Sequence, residues 1–425
     1  MSSTPVVTND QTTSSWILYF LAFLPFIVLG SRVSADLTAS LSAGFLLLYW
    51  YKNPESLVRK QAWFKVILVL WFFMLVTSFF SADPQYVFIQ SFIFIRWPAF
   101  SLVLACVLFT DESRLRLFEK SALILFIFIA LDSIFQYCTG ADIFGHISLD
   151  PTRLTGPFSK LLPGSYALRI YPMVLMALIY LLKSKHLSKP IFLSIMVLMV
   201  AFSEFFAFLT GERVVFVLFS LVNTTLLAAL IYQERPSYKF ILGAVSGFVL
   251  VAVSSILFSP KMFARTIESM IHQLSNFHSS SYYQVYKMAI QLWSNSPWFG
   301  VGTRYYYQSC KALPLELQPK PEGCVVHPHQ IYVEWLTQNG IIGLVLFILV
   351  LFFVFKLIWQ NLDFKNNSLN SAVILVAPVM LFFPFVSSAS IQTNNYAGLA
   401  WMLLGWSLAR SMVQAKNRNS FNSIS

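Results

Sequence analysis

An imidazole, a guanidinium at the start of a span, and a few ionisable groups inside apolar runs are the chemistry-bearing residues of this chain. His329 lies in His327-Pro328-His329-Gln330, ahead of an amphipathic stretch that runs into an apolar segment. On one continuous helix Gly340, eleven positions later, would return to nearly the same face, with Gly343 beside it. That spacing sets the histidine above a groove of small residues, where an elongated substrate or another helix fits closely. It makes His329 a candidate general base, against the plainer reading of a surface or packing histidine.

Arg213 ends Thr210-Gly211-Glu212-Arg213, where another apolar segment begins. A cation at a helix N-terminus opposes the macrodipole, so helix stability does not account for it. Free backbone N–H groups beside a guanidinium fork suit a phosphate; the alternative is an interfacial arginine that snorkels. Arg96, Asp132, Arg169, Glu204 and Arg213 all fall within or at the edges of apolar spans, where a charge is costly and asks for a partner or a role. One reading pairs Arg96 with Asp132 or Glu204 between helices. The other is an outward-facing cationic cavity suited to an anion, which three arginines against two carboxylates favour. No Walker loop, dinucleotide fingerprint, HExxH or zinc-spaced Cys/His cluster is present, which counts against ATP-driven transport and metal-dependent catalysis. No cofactor and no metal site is expected.

These residues must be positioned by membrane helices. The chain has 425 residues, 57% hydrophobic and only 11% charged, with mean hydropathy +0.67. A soluble domain carries about 25% charged residues, so a soluble enzyme, a disordered chain and a disulfide-stapled secreted module are excluded. The expected fold is an all-α polytopic membrane protein of about twelve transmembrane helices. The spans read as 16–30, 37–51, 62–80, 86–109, 121–138, 164–182, 190–209, 213–232, 240–258, 340–359, 370–386 and 394–411. No signal-peptide cleavage pattern and no internal repeat is seen.

The net charge of +11 reports topology before it reports a partner, and no nucleic acid is implied. Lys52, Arg59 and Lys60, then Arg114, Arg116 and Lys120, then Lys183, Lys185 and Lys189, Arg235 and Lys239, Lys365, and finally the tail residues Arg410, Lys416 and Arg418 fall on alternate connections. The positive-inside rule therefore puts both termini in the cytoplasm. The organisation is 1–258 as nine spans, 259–339 as a large outer loop with amphipathic helices, and 340–425 as three spans and a tail. Within the loop, Ser279 to Ser281 can cap a helix in which Val285, Met288, Ala289, Leu292 and Trp293 share one face. Pro297-Trp298-Phe299-Gly300-Val301-Gly302 stops it. Cys310 and Cys324 enclose a segment rich in proline and lie on the side the topology places in an oxidising compartment, so a disulfide between them is expected. The alternatives are two free thiols, or pairing of one of them with Cys138.

Four segments together carry a resemblance. His329-Gln330, nine residues, then Gly340-Ile341-Ile342-Gly343 resembles the His-[Asn/Ser/Gln]-x9-Gly-x-x-[Gly/Thr/Tyr] pattern of O-antigen ligases. Pro297 to Gly302 is similar to the Pro-x-x-Gly-x-Gly turn of the wider ligase/polymerase superfamily. Thr210 to Arg213 resembles its arginine at the outer end of a span, and Arg153-Leu154-Thr155-Gly156-Pro157-Phe158 an outer-loop segment.

The resemblance implies a membrane glycosyltransferase with a GT-C-like bundle and a periplasmic loop, in a bacterial inner membrane, its active site facing the periplasm. Such ligases move a glycan from undecaprenyl diphosphate to lipid A–core without ATP or metal, and their partners are those two lipid-linked substrates and the surrounding membrane lipids. By carry-over His329 is the base for the acceptor hydroxyl and Arg213 holds the leaving diphosphate. Many relatives carry an arginine about four residues ahead of an aromatic–Lys pair. Here the pair is Tyr286-Lys287 and the place is Tyr282, so Arg265 is the substitute, with Arg304 behind it and Arg169 as a further diphosphate ligand. An O-antigen polymerase is the alternative within the superfamily, and protein glycosylation by a ligase-like enzyme is another. A lipid-linked-sugar flippase or transporter is the alternative from a different class.

Overall fold

Lipid offers no hydrogen-bond partner, so each apolar run must close its backbone bonds within itself, and a helix does so locally. The computed structural model describes residues 15–150, 152–319, 323–385 and 389–422. They form an all-α membrane protein, and the described residues hold no strand beyond an isolated bridge between Ala141 and Ile147. The principal helices are α1 (Ser15–Gly30), α2 (Arg32–Lys52), α3 (Ala62–Thr77), α4 (Pro84–Phe94), α5 (Arg96–Val103), α6 (Glu112–Thr139), α7 (Pro163–Ser184), α8 (Lys189–Leu209), α9 (Arg213–Glu234), α10 (Tyr238–Phe258), α11 (Ser281–Asn295), α12 (Ile331–Asn361), α13 (Ser368–Leu381) and α14 (Asn394–Asn422). Among the described residues eight segments are long and apolar enough to cross a membrane, and Trp16–Gly30, Tyr238–Val249 and Ser368–Leu381 are shorter apolar helices. Each span expected from the sequence falls on one or more of these helices.

Caps set many of the boundaries. Ser31 and Ser34 form a capping box between α1 and α2. Asp83 caps α4 with Pro84 in its first turn, and Asp111 caps α6 by accepting from the Arg114 N–H at 3.0 Å. Gly140 ends α6 at φ +89°, a left-handed value that suits a residue without Cβ.

α7 is the inner helix of the bundle. Its residues from Tyr166 to Ala177 are all buried, and it packs on α6, α9, α13 and α14. The outward faces of α2, α3 and α8 instead leave Leu47, Phe72 and Leu198 exposed, as a lipid-facing surface does. α7, α9 and α12 all start at one end of the bundle. Tyr180 near the end of α7 and Gln233 near the end of α9 sit at the other end, beside α13. Arg213 and Gln233 are twenty residues apart on α9, or about 30 Å at ~1.5 Å per residue, the thickness of a bilayer core.

Three sequence-based expectations change. Arg96 pairs with neither Asp132 nor Glu204 but with Asp36 of α2, at 2.8 Å, because α2 packs along α5. Asp132 instead accepts from the Ile143 N–H at 2.9 Å, and Glu204 from Asn223 at 3.1 Å. Arg410 is not a tail residue. It is buried inside α14 and joined to Glu119 and Glu112 of α6. Finally, His329 and Gly340 do not share a continuous helix, for the reasons given next.

Candidate functional site

The outer-loop motif is a piece of architecture before it is chemistry. His329 lies outside α12 at φ +57°, and Gln330 caps that helix, its side chain accepting from the Val333 N–H at 2.7 Å. At Gly340 the helix breaks, with φ +67° and ψ −173°. A Cβ there would stand 2.1 Å from the Trp298 carbonyl oxygen, and one on Gly300 would stand 2.4 Å from the Gln338 carbonyl carbon. The turn from Pro297 to Gly302 thus lies directly on the kink. Its contacts are Val301 N–H to Thr337 O, Gly302 N–H to Gln338 O and Ile341 N–H to Pro297 O, each 2.9 Å. The two glycines therefore make a close crossing of backbones, not a groove under the histidine. α11, capped by Ser280 as expected, packs its buried Val285, Met288, Ala289 and Leu292 over the same region.

What faces His329 is aromatic. Its ring centroid is 4.4 Å from that of His327 and 6.2 Å from that of Tyr282, which stands perpendicular to it at 89°. Tyr282 also lies 6.4 Å from Tyr286, whose phenol is pushed up to about 12 by burial and stays protonated. Cations also lie near Tyr282. Arg213 donates to the Ser269 hydroxyl at 2.9 Å, lies near Tyr282, and feels the charges of Arg265 and Arg153.

Arg153 and Arg265 complete the cluster from two other elements. Arg153 donates to the Leu161 carbonyl at 2.8 Å, and the buried Nε atoms of both arginines have no hydrogen-bond partner. The nearby acid is Asp150. Hydrogen bonds from Thr152, at 2.6 Å from its hydroxyl and 2.9 Å from its N–H, hold that carboxyl below the usual range, helped by Arg265 and Arg153.

Local sequence explains why Arg213 arrives here. Gly211 has φ +67°, and a Cβ on it would meet the Thr152 carbonyl oxygen at 2.1 Å, so the Thr210–Arg213 turn closes onto the Arg153 loop. Glu212 faces the other way. It accepts from the N–H groups of Gly164 at 2.8 Å and Ser165 at 3.2 Å, and from the Ser165 hydroxyl, at the start of α7. Burial pushes its carboxyl up, against those hydrogen bonds and the nearby Arg153. The acid of the motif thus pins two helix starts together and leaves the arginine beside it without a carboxylate of its own.

The five expected residues divide among three places. Arg213, Arg265 and His329 gather around Tyr282. Arg169 is directed elsewhere, over the Tyr396 ring at 3.5 Å and onto the Ser165 carbonyl. Arg304 belongs to a separate set. It donates to Gln90 at 2.6 Å, its N–H meets Gln338 at 2.8 Å, and it lies within electrostatic reach of Arg96, Asp36 and Glu334. Arg153 and Asp150 were not proposed as site residues from sequence, although the Arg153–Phe158 segment was a visible signal. Tyr282 was seen only as the place of a missing arginine. Among the described residues no group of three His, Cys, Asp or Glu side chains is arranged to hold a metal ion.

The loop that leads to His329 is tied by a Cys310–Cys324 disulfide with Cα atoms 5.8 Å apart, while Cys106 and Cys138 are free. Cys310 is fully buried with Tyr306, Met288 and Leu292 in a small core of the loop's own. The bridge closes five residues before His329.

Fold and site define a class: a helical membrane protein with a cluster of arginines and a histidine at one end of its bundle. Residues 195–348 match the family model described as O-Antigen ligase, which supports the O-antigen ligase superfamily reading of the sequence. The matched stretch runs from within α8 to the first half of α12 and so takes in Arg213, Arg265, Tyr282 and His329. No curated protein matches the chain.

Proposed function

We propose that the protein is a ligase transferring a glycan from undecaprenyl diphosphate to lipid A–core at the periplasmic face of a bacterial inner membrane. One observation carries this reading. Three arginines from three elements converge with two buried, unpartnered Nε donors against two nearby acids, Asp150 and Glu212, the latter already engaged by the Gly164 and Ser165 N–H groups, beside a tyrosine that meets the histidine ring. Such an excess of fixed guanidinium donors suits a diphosphate, which accepts several charge-assisted hydrogen bonds at once.

In this reaction His329 takes the proton of the acceptor hydroxyl as its oxygen bonds to the anomeric carbon of the glycan. The bond from that carbon to the diphosphate oxygen breaks, and both electrons leave with the undecaprenyl diphosphate. Arg213, Arg265 and Arg153 stabilise the charge that builds on the leaving oxygen. Tyr282 keeps the imidazole and the cations at a set separation. The membrane-facing helices give both lipid-linked substrates a route to the site, and the bundle is of the GT-C kind.

Purified protein incubated with donor and acceptor lipids should yield glycan-bearing lipid A–core, and no transfer in that assay defeats the reading. Lipopolysaccharide gels of a deletion strain separate the neighbouring activity. Bare core with accumulated lipid-linked polymer marks a ligase, whereas core with a single repeat marks a polymerase.

A further inference from the structure

The connection between α6 and α7 reads from sequence as an outer loop, yet its first half presents apolar side chains outward. Ile143, Phe144, Ile147 and Leu149 are exposed within seven positions, Leu149 completely. Apolar side chains grouped on an outer surface mark a place that meets another apolar phase.

The backbone of this stretch is equipped to leave water. Residues 141–149 turn back as a tight hairpin around the Ala141–Ile147 bridge, with Gly145 at φ +85°. Every N–H from Asp142 to His146 has an acceptor. The Asp142 N–H donates to the His146 carbonyl at 3.1 Å and the Gly145 N–H to the Asp142 carbonyl at 3.0 Å. The Phe144 and His146 N–H groups share Asp142 Oδ1 at 2.9 and 2.7 Å, and the Ile143 N–H reaches Asp132 Oδ1 at 2.9 Å. The carbonyls of Ala141 and His146 accept from the side chains of Thr139 and Gln136 at 2.8 and 2.9 Å. The Asp142 side chain is wholly buried under the turn, its Oδ2 2.6 Å from Nδ1 of His146. A turn enters an apolar layer at low cost only when its N–H and carbonyl groups are met internally.

Depth and direction agree. Charges on α6 run up to Lys120, and a hydrocarbon core of about 30 Å measured from there takes about 20 residues, to Gly140. Ile143 is tied to Asp132, which lies about 10 Å inward of Thr139, the end of α6, at ~1.5 Å per residue. The Phe144 ring lies 6.5 Å from that of Phe128. Phe128 shares one exposed helical face with Ile124, Leu131 and Phe135, the lipid-facing stripe of α6, and the hairpin extends that stripe.

We propose that residues 141–149 form an interfacial hairpin whose Ile143, Phe144, Ile147 and Leu149 insert into the acyl chains of the leaflet on the Arg213 side. The chain leaves the hairpin directly into Asp150, so the insertion holds the loop bearing Arg153 at the membrane boundary. The proposal concerns the surroundings of the loop and does not rest on the transfer reaction.

Spin labelling of the full chain in phospholipid nanodiscs tests it. Cys138→Ser removes the exposed native thiol, and Phe144→Cys, Ile147→Cys and Leu149→Cys are labelled in turn. Leu131→Cys on α6 is the lipid reference and the exposed Ser159→Cys the aqueous one. Oxygen should relax the hairpin labels as it relaxes the label at Leu131, while a water-soluble nickel chelate should relax only the label at Ser159. Nickel relaxation at the hairpin as strong as at Ser159 overturns the proposal. Shielding from both relaxants, or dipolar broadening between labels, overturns it as well, since protein or a second copy of the chain then covers the hairpin. All three side chains are exposed, so if one variant misfolds the other two still decide the matter.

Discussion

Arginines gather at both ends of the helix bundle, in opposite balance. At one end Arg410, 3% exposed, meets Glu119 at 2.5 Å and Glu112 at 2.7 Å, while Trp406 donates to Glu119 at 2.7 Å. Every guanidinium nitrogen there has a carboxylate. At the other end Arg153, Arg213 and Arg265 lie within electrostatic reach of one another and of Asp150, and among the described residues their hydrogen bonds go to a carbonyl and a hydroxyl. With Arg116 also paired to Glu112 at 3.0 Å, two arginines meet two glutamates, and the matched set ties α6 to α14. In the unmatched set, like charges are held close by backbone constraints such as Gly211, an arrangement that the anion of the proposed function would complete. The number of satisfied donors, more than the number of arginines, separates a structural ion pair from a binding site.

Several substitutions break or sharpen that contrast. The largest effect should come at the unmatched end. His329→Ala should lower transfer by about 10²–10⁴-fold, the usual worth of a general base, with normal insertion and accumulation. His327→Ala should keep most activity, and the reverse pattern in the transfer assay would show that the other histidine acts. At the matched end Arg410→Ala leaves Glu119 buried and unpaired, a loss of about 3–5 kcal/mol. Here the readout is unfolding temperature and expression level; if the variant is as stable as wild type, the pair is not structural.

Removing the Cys310–Cys324 bridge by Cys310→Ser should lower stability by roughly 3 kcal/mol for a loop of about 15 residues in the chain-entropy model. Activity should fall without disappearing. Peptide mapping under thiol-blocking conditions checks the bridge itself, since alkylated Cys310 and Cys324 would refute it. Arg213→Lys should lose about 10–100-fold in transfer, on the scale of one charged hydrogen bond at roughly 1.5–3 kcal/mol. Arg213→Ala should lose at least as much, whereas a lysine variant with wild-type turnover leaves only a snorkelling arginine.

The smallest effect concerns pH. The Asp150 carboxyl is held below the usual range chiefly by the Thr152 hydroxyl. Its contribution is therefore present above the ordinary carboxylate range and is lost as pH falls through the lowered value. Thr152→Val should move the acid limb of activity to higher pH and leave the neutral plateau in place. An unshifted acid limb would show that Asp150 does not bear on the cluster.

The sequence by itself determined the helices and the candidate chemistry, because both are local. Twenty-residue apolar runs must be helical in lipid whatever their neighbours, and Asp83, Asp111, Ser280 and Gln330 cap at their own positions. Arg213 announced itself by sitting at a helix start that its charge does not favour, and Cys310 and Cys324 by their place in one loop. Partnerships between distant segments were another matter. That Arg96 meets Asp36 rather than Asp132, that Arg410 meets Glu119 across 291 positions, and that Arg153 reaches Arg213 while Arg304 does not, depend on which helices touch. Gly340 shows the same limit in one residue. Its spacing from His329 suggested a shared helical face, but a positive φ is not written in a spacing, and it was the carbonyl of Trp298, 42 positions away in sequence, that required the missing Cβ. Only the folded chain brings that oxygen there, so only the tertiary structure decided that the motif is a backbone crossing and that the histidine faces Tyr282 rather than a groove of small residues.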